Sequence, residues 1–165
     1  MQSRTGTLGG RAPADRHSLG MCSNLPLPPR SLEAYAPVME RHVINTPNAP
    51  SSPLFCQGVR AGSTISVSGM VGVDPATGVS AGSSIQEQTQ QSLRNCEAVL
   101  NAGGGTIADI MMVTVLLAHP DDFAGMNDAY ADFFDEPRPA RAVARLGPEI
   151  PGVLVSIAMT AQVDR

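Results

Sequence analysis

The stretch IMMVTVLLA, residues 110–118, limits the folds open to this chain more than any other. It is apolar except for Thr114, rich in strand-forming residues, and far too short to cross a bilayer. Gly103-Gly104-Gly105 before it and His119-Pro120 after it bar a longer helix. Such a run is expected as a central strand buried on both faces, and a sheet built around it needs helices for cover. The flanking segments supply two. Ser84 and Glu87 form an S-x-x-E capping box, after which Ile85, Leu93, Cys96, Val99 and Leu100 fall near one helical face. The glycine run closes that helix. A second helix opens at HPDD, with Asp121 and Asp122 expected as its caps and Phe123, Met126, Tyr130, Phe133 and Phe134 as its stripe. HVIN (42–45), LFCQGV (54–59), TISVSGMVGV (64–73) and segments near 141–146 and 153–163 read as further strands. Arg60-Ala61-Gly62-Ser63 is expected as a hairpin turn and DPATG (74–78) as a turn with Pro in its favoured place. The order predicts an α+β fold: a mixed sheet with two helices packed on one face.

At 165 residues the chain has length for one domain. Residues 1–40 differ in texture, being rich in Gly, Pro and Ser with neither helical nor strand period. They are expected to be a disordered N-terminal extension to a domain at 41–165, and Met39 stands as an alternative start. The extension is Arg-rich, but its prolines break the amphipathic helix a transit peptide needs. Three cysteines with no CxxC pair and no secretory apolar segment predict reduced thiols and a cytoplasmic protein. Charge is uneven: residues 1–41 carry +2 and the remainder −6. An acidic body is a poor partner for nucleic acid, and no apolar run suits a membrane. There is no lysine, so an anion must be met by Arg or by backbone N–H groups. A small anionic metabolite fits this composition better than a polymer.

Several motifs fail on context. GVSAG (78–82) matches the nucleophile elbow, but the DPAT turn intervenes where a strand should lead into Ser80. AGGG (102–105) lies at the C-terminal end of its helix, the wrong end for phosphate. His119 reads as a surface residue, Cys56 and Cys96 as small core residues, and Asp121 and Asp122 lack a third metal ligand. Asn127 points near the apolar face of its helix, so its amide is expected to be hydrogen-bonded, either to a neighbouring loop or to a ligand.

Arg141 is the strongest candidate. It opens a strand between Ala140 and Ala142, and its planar fork suits bidentate carboxylate binding, the alternative being an ordinary surface arginine. In the last strand Val153, Val155, Ile157, Met159 and Ala161 share one face, and Leu154, Ser156, Ala158, Thr160 and Gln162 the other. Read from the residues alone, this is a carboxylate clamp without a catalytic partner.

Taken together, SSPLFCQGVRAG (51–62), ISVSGMVGVDPATG (65–78), QTQQSLRNCEAVLNAGGG (88–105), VTVLLAHPDDFAGMNDAYADFF (113–134), PARAV (139–143) and GVLVSIAMTA (152–161) resemble the reactive intermediate deaminase, or RidA/YjgF-like, family. The resemblance implies a chorismate-mutase-like fold, a homotrimer with ligand clefts between subunits, and cofactor- and metal-free hydrolysis of enamine and imine acids to 2-oxo acids and ammonia. It places the family's carboxylate-binding arginine on Arg141, its backbone contributor on Gly69 after Ser68, and its helix asparagine on Asn127. Three positions depart. The cleft tyrosine is Phe55, the cysteine two residues past the arginine is Val143, and the water-activating glutamate is Ser156. The implied reading is a weak or altered deaminase in which Ser156 positions water. The alternative is a non-catalytic trimer that binds a small carboxylate metabolite. Ribonuclease activity, ascribed to some relatives, is disfavoured by the acidic body and few aromatics.

Overall fold

In the computed structural model, which describes residues 39–164, eight elements follow one another as expected. They are β1 (Arg41–Ile44), β2 (Gly58–Ala61), β3 (Thr64–Val71), α1 (Ile85–Ala102), β4 (Ile110–Leu117), α2 (Phe123–Phe133), β5 (Ala140–Arg145) and β6 (Val155–Gln162). The extension expected at 1–40 lies, apart from Met39 and Glu40, outside the described residues. The strands form one sheet in the order β1-β2-β3-β6-β4-β5. Only β4 and β5 run parallel, joined through α2, because a parallel pair needs a crossover of that length. The fold is α+β with both helices on one face.

α1 starts as its sequence demands. The Ser84 side chain accepts from the Glu87 N–H, and the Glu87 carboxylate accepts in return from the Ser84 N–H. Bonds from Ser84 hold the Glu87 carboxyl below the usual carboxylate range. Gly103 caps the other end, and Gly104 takes a left-handed φ of +83° to leave the helix. Buried amides then tie α1 to its surroundings. Asn95 donates to the Val71 and Val73 carbonyls, and Gln88 bonds Gly82, Gly152 and Leu154. Gly72 lets β3 run close under the helix: a Cβ there would lie 2.6 Å from the Gln88 backbone.

The core is the layer between helices and sheet. Ile65, Val67, Met70, Val113, Val115, Ile157 and Met159 face Leu93, Cys96, Val99, Leu100, Met126 and Tyr130. Three expectations need correction. β4 is buried on one face only: Val113, Val115 and Leu117 are inside, whereas Met112 is exposed and Thr114 and Leu116 are half-buried. Its run is apolar on both sides, but the helices cover just one. Phe123 lies outside the stripe of α2, 47% exposed, and Phe134 is buried as the residue that ends the helix. Asp122 makes no capping bond, because a 3-10 turn at Pro120–Asp122 already leads into α2 and Asp122 sits in helical backbone geometry.

Candidate functional site

Ser156 sits in the middle of the sheet, between Val71 of β3 and Leu116 of β4. It is 8% exposed, and among the described residues its hydroxyl makes no side-chain hydrogen bond. Beside it the β3–β6 register shifts between Val67 and Met70, a bulge carrying Ser68 and Gly69. A Cβ on Gly69 would lie 2.7 Å from Ser156 Oγ, so glycine brings the exposed backbone of the bulge directly beside that hydroxyl. Ser68 ties the bulge to the preceding loop, its Oγ donating to the Cys56 carbonyl at 2.6 Å and its N–H to the Gln57 carbonyl at 2.9 Å. That loop is fixed by buried Gln57, which bonds Thr46, Ala49 and Pro50. Phe55, on the same loop, is 51% exposed. A serine hydroxyl can orient a water but cannot hold its proton at neutral pH.

Arg141 is held elsewhere. In β5 it pairs with Val113, which faces the helices, and its guanidinium lies 4.5 Å from the centre of the Tyr130 ring. Nη1 approaches Met126 Sδ at 3.9 Å. Tyr130 is a fixed platform: it is buried and packs against Phe134 with ring centres 4.6 Å apart. Burial pushes the Tyr130 phenol up, and the Arg141 charge partly offsets it. Arg138 is ion-paired with Glu136, whereas among the described residues no carboxylate pairs with Arg141. Val143 follows on the same face, half-buried against the core. Asn127 departs from expectation: its Oδ1 is buried with no hydrogen-bond partner among the described residues, as is the Tyr130 hydroxyl. The neighbouring loop expected to bond that amide does not reach it.

The sheet therefore divides the expected site in two. Val113 pairs with Met159 in β6, and Met159 belongs to the helix-facing set, whereas Ser156 belongs to the alternate one. Arg141, Val143 and Asn127 gather on the helix side; Ser156, Gly69 and Ser68 gather on the open side. A single chain does not bring its clamp to its serine. Sequence reasoning missed Tyr130, which an apolar helical stripe presents as one more core residue. His119 is exposed, and Ser80 of the GVSAG match lies in an exposed loop. Cys96 is fully buried, its thiol donating to the Ile157 carbonyl and pushed up by burial. Among the described residues no cluster of His, Cys, Asp or Glu could hold a metal, and no helix is long and apolar enough to span a membrane.

Known proteins are similar to this chain in sequence and fold. A family profile described as Endoribonuclease L-PSP matches residues 46–163. Reactive Intermediate Deaminase A of Arabidopsis thaliana is 32% identical over 126 residues, 76% of this chain and 67% of the relative. A 2-iminobutanoate/2-iminopropanoate deaminase of Capra hircus is 37% identical over 103 residues, 62% of this chain and 75% of the relative. Among solved structures, the YjgF gene product of E. coli superposes with a TM-score of 0.70 at 34% identity, over 75% of this chain and 99% of its own. E. coli TdcF with bound serine gives 0.69 at 33% identity, over 73% and 98%. With the profile covering most of the chain and the sheet order, bulge and helix pair in place, the chain belongs to the RidA/YjgF-like family.

Proposed function

We propose that the chain hydrolyses small enamine or imine acids to 2-oxo acids and ammonia, weakly because Ser156 stands where a carboxylate would activate water. The observation that carries this is the guanidinium of Arg141, seated on the Tyr130 ring and paired with no carboxylate among the described residues. The deaminase names of the relatives and the bound serine of TdcF, itself a small carboxylate, support the substrate class. Since Arg141 and Ser156 lie on opposite faces of the sheet, one ligand can meet both only across two chains. The reading is therefore a homotrimer whose clefts pair Arg141 of one protomer with the Gly69–Ser156 bulge of the next. The acidic body supports a metabolite over the nucleic acid that the profile's description suggests.

In this cleft the carboxylate of the iminium acid binds the Arg141 fork, which fixes C2 in place. Water adds to C2, and the C2–N bond of the resulting carbinolamine breaks. Ammonia leaves as ammonium and the 2-oxo acid remains. Ser156 orients the water without taking its proton, forgoing a contribution of about 10²–10⁴-fold. A second reading, a trimer that only binds a carboxylate, is favoured by that same serine. Release of 2-oxo acid from an imine generated in the assay, measured for Ser156→Glu and Arg141→Ala, separates the two. The hydrolase reading expects Ser156→Glu to raise turnover at least about tenfold and Arg141→Ala to abolish turnover and binding. The binding reading expects no turnover from Ser156→Glu and weaker binding of the anion. If Arg141→Ala leaves both quantities unchanged, neither reading survives.

A further inference from the structure

Phe123 is an anomaly of this fold. The sequence period counts it with the apolar stripe of α2, yet almost half of it faces solvent while Met126 and Tyr130 are buried. It lines a cleft of about 440 Å³ with Leu117, Pro120, Val143, Ala144 and Arg145. Five of these six are apolar, and Arg145 can contribute its aliphatic stem. The position of the cleft gives it a use. Arg141, Val143 and Arg145 pair in turn with Val113, Val115 and Leu117, so they share one face of β5, and the cleft begins at the residue next to Arg141 on that face. At ~3.3 Å per residue the Val143 Cα lies about 7 Å from that of Arg141. A ligand whose carboxylate sits on the Arg141 fork can lay a side chain of four or more carbons over Val143 and against Phe123.

We propose that this cleft is the side-chain pocket of the site, and that it selects 2-imino and 2-oxo acids with large apolar side chains, of the leucine or phenylalanine type, over those of two or three carbons. The proposal rests on Arg141 acting as the carboxylate clamp. Its volume exceeds what a methyl or ethyl group can fill, and small ligands would leave Val143 and Phe123 wet. Each methylene moved from water onto such a surface strengthens binding about fourfold.

The test uses stable 2-oxo acids and calorimetric titration of the full chain. From pyruvate to the 2-oxo acid of leucine, three added carbons should tighten binding by roughly 50-fold if they are fully buried. Phe123→Ala should cut that ratio to less than about tenfold, and Phe123→Leu should keep most of it. Equal binding of the two acids, with Arg141→Ala abolishing both, overturns the pocket and leaves the clamp standing. Tighter binding of 2-oxoglutarate than of the leucine analogue also overturns it, since Arg145 would then be choosing an acidic side chain. If neither acid binds the unaltered chain, the clamp fails and the pocket fails with it.

Discussion

Tyr130 looks structural in the sequence, and in the structure its ring carries the guanidinium of Arg141. Its ring is fixed by Phe134 and by burial, and the Arg141 guanidinium lies over its face. An arginine on a strand edge otherwise loses much side-chain freedom when it grips a ligand, and a ring beneath it lowers that cost. Tyr130→Phe keeps the ring and should leave affinity for a small 2-oxo acid close to that of the unaltered chain. Tyr130→Leu keeps the bulk and loses the ring's negative face, and should weaken binding about 2- to 30-fold with a smaller change in Tm. Calorimetric titration and thermal melts of the two variants make the comparison; equal affinities would mean that the ring only fills space. Arg141 was singled out in the sequence because the small residues Ala140 and Ala142 flank it, and the structure seats its guanidinium over Tyr130. Tyr130 was not, because a helical period shows which residues share a face and not which strand lies across from it. Asn127 misled for a related reason. Its place on the helix demanded a partner, and among the described residues the Oδ1 has none.

At the scale of elements, local rules held where the chain makes its own contacts. The capping box, the glycine stop and the turn at Gly62, whose φ is +59°, need only neighbours in sequence and were read directly. β2 runs on through Arg60 and Ala61, residues expected in the turn, because Gly62 and Ser63 close the hairpin by themselves. Burial on both faces of β4 was expected from the same apolar run that identified the strand, but among the described residues the helices cover one face only. The cap of α1 gives a prediction with a pH signature. Glu87 is held below its ordinary pKa, so its stabilisation is fully present above the unfolded-state value and fades as pH falls through the folded one. Ser84→Ala removes the partner that holds it down and should lower Tm by a few degrees at pH 7. The deficit should shrink at acidic pH, once the folded-state pKa is passed and Glu87 is protonated in both proteins. Melts at the two pH values that show the same deficit would place the whole effect in the Ser84 hydroxyl.

At the scale of the whole molecule, two observations point away from a working monomer. The open face of the sheet presents Met112, Leu116 and Thr114 with no layer above them among the described residues, and the two halves of the expected site stand on opposite sides of the sheet. The proposed closed ring of three chains would resolve both, by covering the apolar face and by passing the Arg141 half of one protomer to the Ser156 half of the next. Light scattering across a size-exclusion peak should then give about three times the 17.2 kDa chain mass. A sharper test asks whether the cleft is shared. Arg141→Ala destroys one half-site, and Gly69→Val destroys the other, since even a Cβ there would come within 2.7 Å of Ser156 Oγ. Each variant alone should fail to bind a 2-oxo acid. Co-expressed in equal amounts, they form mixed trimers in which about one quarter of the clefts join an intact Arg141 to an intact bulge, and binding should return at that stoichiometry. Were both halves drawn from the same chain, no mixture could restore a cleft, and titration of the co-expressed protein would show no binding at all.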